Sequence, residues 1–351
     1  MMNKQKRLST CDGFFCSGEI MKAREELLLW HSNYGRHCLP WRLNASPYAV
    51  LVSEFMLQQT TVATVIPRFH AWMNRFPTIH DMAMSNESEI LSAWEGLGYY
   101  SRARRLLGSA KAIVTLHNGI IPRDLKSLEK LPGIGPYTAA AIAAFAYDEP
   151  AVVLDTNIIR VLCRVGNIKI PIDNAIGKKI LQTFAANFFP SSGCRSVASA
   201  LMDLGAMICT PTLPQCSTCP LQKTCKATKP ETLPKKSPRP VIKKLFENRG
   251  VFRREGLLYL EQSLGPRWQG LWILPELGNT VPKGRAIARI TYPITHYRIT
   301  MKVFEGKGRV PTKLMGFNHA ELSSLPMPSP MRIIIENFLL KGDCPDVSLR
   351  S

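Results

Sequence analysis

Residues 226 to 240 read KATKPETLPKKSPRP, and the pattern on one side of this stretch does not continue on the other. Proline and lysine dominate it and leave little to bury, so it reads as an extended, solvated linker. A chain of 351 residues exceeds the usual size of a single core and divides there into two domains.

Before the break the sequence reads as helix after helix with short connections, from Met21 to Cys225. SPYAVLVSEFMLQQ opens on Ser46 as N-cap and Pro47 at the first helical position. Further helices are predicted at 62–75, 87–94, 101–117, 136–147, 156–165, 173–188 and 194–208, and alternating β-branched runs are scarce, which makes this part all-α. After the break come short strand patterns, GVFRREGLLYLEQ, LWILPE, IARITYPITHYRITMKVFEG and KLMGFN, and a closing helix, SPMRIIIENFLLKG. That second part is α+β. Residues 1–20 are polar, lack the apolar stretch of a secretory signal and read as a disordered extension, with Met1 and Met21 as alternative starts.

Lys plus Arg number 45 against 26 Asp plus Glu, a net charge of +19. Such a field concentrates a polyanion and speeds its encounter, so a nucleic acid is the expected partner. No apolar run reaches the roughly 20 residues that span a bilayer, so no membrane attachment is expected. The ten cysteines do not form a disulfide framework in an intracellular chain of this size.

Four stretches carry chemistry. LPGIGPYTAA at 131–140 sets Gly133 and Gly135 at a helix start, where exposed N–H groups admit a phosphate oxygen; a turn needed only for packing reads equally well. Cys209, Cys216, Cys219 and Cys225 lie within seventeen residues among prolines and fit zinc or a [4Fe–4S] cluster, which spacing does not distinguish. Glu54 has Val50, Leu51 and Leu57 as helical neighbours: either a carboxyl with a raised pKa able to act as a general acid, or a glutamate at the edge of a core helix. Asp155 precedes a helical pattern as its N-cap, and the capping N–H bonds keep it ionised.

LPWR (39–42), SEFMLQQT (53–60), WEGLGYYSRARRL (94–106), LPGIGPYTAAAI (131–142), LDTNIIRVLCR (154–164) and the four-cysteine loop occur in order. Together they resemble the adenine DNA glycosylases of the helix-hairpin-helix (endonuclease III) superfamily, densely over 21–225 and more loosely beyond. The resemblance implies a helix-hairpin-helix glycosylase domain at 21–225 with an iron–sulfur loop at 209–225, a linker at 226–247 and a Nudix-like domain at 248–351. It implies hydrolysis of the N-glycosidic bond of adenine mispaired with 8-oxoguanine or guanine in duplex DNA, with the adenine flipped out of the stack. Glu54 would protonate the leaving base and Asp155 would stabilise the oxocarbenium-like sugar. Tyr137 stands where strand-cutting relatives carry a Schiff-base lysine, so base removal without strand cleavage is implied.

The same resemblance makes Cys209, Cys216, Cys219 and Cys225 the ligands of a structural [4Fe–4S] cluster, and the Gly133–Gly135 hairpin a phosphate grip. Arg42 falls in the adenine pocket, Gln58 and Gln59 in the wedge around the flipped base, and Leu97, Gly98 and Tyr99 in a loop probing beside the oxidised guanine, with Tyr99 intercalating. Thr295 and His296 match the 8-oxoguanine-recognition loop. Two positions depart from the family: Ser199 replaces a Glu or Gln that contacts adenine, and Ile294 replaces the aromatic of a Phe-Ser-His loop. Each puts its contact in question. The second domain lacks the glutamate and arginine run of Nudix hydrolases and should bind rather than catalyse. A cytoplasmic monomer is implied. The competing readings are a pyrimidine-mismatch glycosylase on the same fold and a DNA-binding iron–sulfur protein without catalysis.

Overall fold

The computed structural model describes residues 17–238, 241–278, 284–306, 308–340 and 346–348. The chain forms two compact units, residues 1–58 with 112–238, and residues 59–111 with 239–351. No helix among the described residues is long and apolar enough to cross a membrane.

The helices in chain order are α1 (Ser17–Tyr34), α2 (Pro40–Leu43), α3 (Pro47–Leu57), α4 (Val62–Arg75), α5 (Ile79–Met84), α6 (Glu87–Ala93), α7 (Ser101–His117), α8 (Leu125–Glu129), α9 (Pro136–Tyr147), α10 (Thr156–Val165), α11 (Ala175–Phe188) and α12 (Cys194–Met207). In the first unit the core is helix against helix. Residues Ala49 to Met56 of α3 are all buried, as are Thr138 to Ala144 of α9. The alanines of α9 let α3 lie close against it. In α10 the apolar positions Ile158, Val161, Leu162 and Val165 recur at helical spacing and turn inward, against α12. α8 and α9 form a helical hairpin. Its turn holds Gly133 at φ +78°, a conformation that favours glycine.

The second unit adds a mixed sheet of β1 (Lys243–Arg254), β2 (Leu257–Gln262), β3 (Trp272–Ile273), β4 (Ala288–Ile294), β5 (Tyr297–Glu305), β6 (Met315–Phe317) and β7 (Asp346–Ser348), with α13 (His319–Ser324) and α14 (Ser329–Ile334). The strand order is β3-β2-β1-β5-β4-β7, and β6 pairs with β2. β1 and β5 run parallel, while β1–β2 and β4–β5 are antiparallel hairpins. The β1–β2 turn places Glu255 and Gly256 at positive φ, as a tight two-residue hairpin requires. The α+β expectation agrees with this sheet.

Three boundaries differ from the sequence reading. α1 begins at Ser17 and buries Ile20, so residues 17–20 belong to the fold; residues 1–16 of the expected extension lie outside the described residues. Among its described residues, the expected linker at 226–247 is tied to the helices at its start and belongs to β1 at its end. The Lys226 N–H donates to the Val165 carbonyl, Leu233 is buried and accepts from Arg164 Nε, and β1 already starts at Lys243. One buried leucine, the bonds of Lys226 and Leu233 and an Ile172 N–H donated to the Lys235 carbonyl tie down a stretch whose composition suggested a solvated chain. Finally, residues 59–111 group with the C-terminal sheet rather than with the other helices. Tyr100 donates to the Met327 carbonyl at 2.7 Å, Arg332 forks onto Glu95 at 2.7 and 2.9 Å, and Arg104 bonds both Glu87 and the Gln269 carbonyl.

Candidate active site

Three residues from three segments of the first unit meet. Ser46 caps α3 by accepting the Ala49 N–H, and the helix then carries Glu54 into the core, where it is 6% exposed. Tyr137, at the second position of α9, donates its hydroxyl to Glu54 Oε2 at 3.1 Å. Burial raises the Glu54 pKa to about 7; the Tyr137 hydrogen bond pulls it down and the Asp155 charge pushes it up. Burial and the neighbouring carboxylates hold the Tyr137 phenol far above its ordinary value. Glu54 is therefore buried in the core, not an edge glutamate, and holds a proton near neutral pH.

Asp155 caps α10 as expected, accepting the Ile158 N–H at 2.7 Å and the Asn157 side-chain amide at 3.0 Å. These bonds favour its ionised form, as expected, but they work against the site's burial. Burial outweighs them and raises its pKa, while the bonds and Arg160 oppose the rise. Behind it runs a polar chain that sequence reasoning missed. Asn157 Oδ1 accepts from Arg160 at 2.8 Å, and Arg160 donates onward to the carbonyls of Cys209 and Gly205. Arg164, 1% exposed, binds the carbonyls of Thr210 and Pro211 and lies 3.3 Å from Cys209 Sγ. The only sequence signal was two arginines one turn apart within the mainly apolar run that follows Asn157.

Arg42 has both terminal nitrogens on Asp203, at 2.7 and 3.1 Å. Asp203 is fully buried, and Arg36 and His31 bond it as well. Burial would raise its pKa, but the His31 and Arg42 hydrogen bonds and the Arg42 charge hold it far below the usual carboxylate range. Arg42 is thus fixed in orientation by a residue the sequence reading had not singled out. Ser199 lies one turn earlier on α12 and is buried. Gln58 reaches Thr138 Oγ1 at 3.5 Å, and Gly135 is the N-cap of α9 with no side-chain cap and open space at its Cβ position.

In the second unit three of the residues singled out from the sequence share an unusual backbone. Gln59, Tyr99 and Thr295, none of them glycine, have φ of +56°, +45° and +50°. Side chains rarely adopt this region, and its cost of roughly 1–3 kcal/mol each is the kind of strain found at working sites. Gln59 and Tyr99 are exposed, Leu97 is buried and Gly98 has φ +68°. Arg102, 5% exposed, ties these segments together: its Nη2 lies 2.6 Å from the Leu97 carbonyl, 3.1 Å from that of Gly98 and 3.0 Å from Thr60 Oγ1. Its guanidinium also sits over Trp94 and Tyr99. Neither Thr60 nor Arg102 was singled out from the sequence. Thr295 and His296 form the exposed β4–β5 turn, and the His296 carbonyl accepts the Lys243 N–H at 2.8 Å.

Cys209, Cys216, Cys219 and Cys225 feel one another electrostatically, and burial raises the thiol of Cys219 to about 12. Among the described residues no three of His, Cys, Asp or Glu converge as they would on one metal ion. Four thiols on one loop, with the buried Arg164 guanidinium beside the Cys209 sulfur, are a donor set that suits a zinc ion or an iron–sulfur cluster.

The family model for "HhH-GPD superfamily base excision DNA repair protein" matches residues 52–185, which include Glu54, the α8–α9 hairpin and Asp155. The matched segment, which runs through residues 59–111 of the second unit as well as the helices that carry Glu54 and Asp155, thus has the character of a base-excision DNA repair protein. A solved thermostable thymine-DNA glycosylase aligns at TM-score 0.53 and 28% identity over 60% of this chain and 96% of its own. An endonuclease III in a non-covalent DNA complex aligns at TM-score 0.52 and 24% identity over the same shares, a likeness of fold. The adenine DNA glycosylase of Buchnera aphidicola subsp. Baizongia pistaciae is 37% identical over 258 residues, 72% of this chain and 73% of that protein. That of Rattus norvegicus is 41% identical over 218 residues, 60% of this chain and 42% of its own. The chain belongs to the adenine DNA glycosylase family, hydrolases of N-glycosyl bonds.

Proposed function

We propose that this chain removes adenine mispaired with 8-oxoguanine or guanine from duplex DNA, without cutting the strand. The observation that carries the reading is the buried Glu54 carboxyl, bonded to Tyr137 and protonated near neutral pH. With the adenine flipped out, Glu54 gives its proton to a ring nitrogen. The C1′–N9 bond then breaks with its electron pair on the neutral base. Asp155 faces the cationic sugar that remains. Glu54, now a carboxylate, takes a proton from the water that adds at C1′, and the site is restored. The tyrosine hydroxyl at position 137 has no amine to form a Schiff base, so the abasic strand stays intact.

Around this chemistry, Arg42, held by Asp203, lines the adenine pocket, and the Gly133–Gly135 turn takes a backbone phosphate. Gln58 and Gln59 fill the space left by the flipped base, and Leu97, Gly98 and Tyr99 probe the opposite strand. The C-terminal α+β domain is Nudix-like in this reading, and its strained turn at Thr295 and His296 contacts 8-oxoguanine. Cys209, Cys216, Cys219 and Cys225 hold a [4Fe–4S] cluster that orders the loop carrying them. The protein acts as a monomer. Glu54→Gln tests the assignment: duplex affinity is retained and adenine release is lost, whereas unchanged release removes Glu54 from the mechanism.

A further inference from the structure

The C-terminal sheet has two faces of opposite character. One is core, with Ile290 and Tyr292 of β4 and Ile299, Met301 and Val303 of β5 all buried. On the other face the strand register sets out three rows of three residues: Lys244, Arg298 and Pro293; Phe246, Thr300 and Thr291; Asn248, Lys302 and Arg289. These nine positions carry four cations and no Asp or Glu; the next strand, β7, sets Asp346 beside Arg289 at the far edge, leaving Lys244, Arg298 and Lys302 as the cations across β1 and β5. Lys244, Arg298 and Arg289 are exposed, and Phe246 is 69% exposed. The Thr291 and Thr300 hydroxyls, 3.2 Å apart, tie the middle row. One end of the face closes under Phe252 and Leu277, which leave no room for a Cβ at Gly250. The open end leads to the Thr295–His296 turn, to which β1 is anchored through the Lys243 N–H.

An ordinary solvated sheet face mixes both charge signs. Lysines that guard a sheet edge would explain Lys244. They do not explain Arg298 and Lys302, because β5 lies between β1 and β4, inside the sheet. An exposed phenylalanine on the same face works against edge protection. Three cations around an exposed ring, Lys244, Arg298 and Lys302 with Phe246, have the chemistry that neutralises phosphates and packs on a sugar or base.

We propose that this face is a contact surface for the phosphodiester backbone of duplex DNA, with Lys244, Arg298 and Lys302 on phosphates and Phe246 against the sugars. It rests on the proposed function only in taking duplex DNA as the substrate. The test uses the full chain and a duplex in which a 2′-fluoro adenosine, resistant to hydrolysis, stands opposite 8-oxoguanine. Binding is measured across a salt series for wild type, for the Lys244→Ser/Arg298→Ser/Lys302→Ser variant and for Phe246→Ala.

Each phosphate contact contributes roughly 0.9 to the slope of log affinity against log salt, so the triple variant should lose about 2.7 of that slope. Its affinity should also drop at least about tenfold. Phe246→Ala should bind more weakly at an unchanged slope. Matched thermal melts confirm that both variants are folded, since the replaced side chains lie on the outer face. A wild-type slope in the triple variant, whatever its affinity, overturns the proposal. Wild-type excision of adenine is scored separately, so failure of the proposed function is distinguishable from failure of this surface.

Discussion

Replacing Glu54 by glutamine should stabilise the protein, and the gain should depend on pH. The carboxyl is 6% exposed and its pKa rises from 4.5 to about 7, chiefly through burial. Below pH 4.5 the group is neutral in both folded and unfolded chains, and glutamine imitates it. Between 4.5 and about 7 the unfolded chain ionises while the folded one keeps its proton, so stability falls as pH rises through this window. Above 7 the loss is complete. At 1.36 kcal/mol per pH unit it amounts to about 3 kcal/mol. For a unit of this size that corresponds to roughly 6–12 °C in melting temperature. The assay is thermal unfolding of wild type and Glu54→Gln at several values between pH 4.5 and 8.5. The variant should melt within a few degrees of wild type at the acid end and well above it at the alkaline end. An offset that is the same at every pH, or a variant that melts lower at pH 8.5, would refute the burial argument and with it the source of the catalytic proton.

Other consequences are as direct. Tyr137→Phe removes the hydrogen bond that lowers the Glu54 pKa, so the alkaline limb of the single-turnover rate should move to higher pH; an unmoved limb means the hydroxyl does not stabilise the carboxylate. Arg102→Met keeps the bulk but loses the bonds to Thr60, Leu97 and Gly98. Amide exchange at residues 97–100 should then accelerate by at least about tenfold, since hydrogen bonds to a charged group are worth roughly 1.5–3 kcal/mol; native protection in the variant would contradict the tie. Protein prepared without oxygen should contain about four irons per chain, falling in Cys219→Ser, whereas one zinc would replace the cluster with a single-ion site.

Helices with a sustained apolar period and a clear start were legible in the sequence: 62–75, 101–117, 136–147 and 156–165 carry the same limits in the structure. α2, α5 and α8, four to six residues each, are too short to show a period and were missed. The chemistry of Glu54 was legible only in part. Its apolar neighbours suggested a raised pKa, but the Tyr137 partner, 83 residues away, comes from the packing of α3 on α9, which no local pattern encodes. The left-handed backbone at Gln59, Tyr99 and Thr295 was invisible because sequence signals that conformation through glycine. Asp203, Arg160, Arg164 and Arg102 were missed for a related reason. Each is a charge buried by its tertiary partners inside segments that read as ordinary helix.

Adenine excision without strand cleavage is tested by a single-turnover incubation with duplexes carrying adenine opposite 8-oxoguanine, guanine or thymine, each analysed with and without hot alkali. Strand breaks should appear only after alkali, fastest opposite 8-oxoguanine, slower opposite guanine and minimal opposite thymine. Breaks without alkali, or no loss of adenine from any duplex that the protein binds, would contradict it.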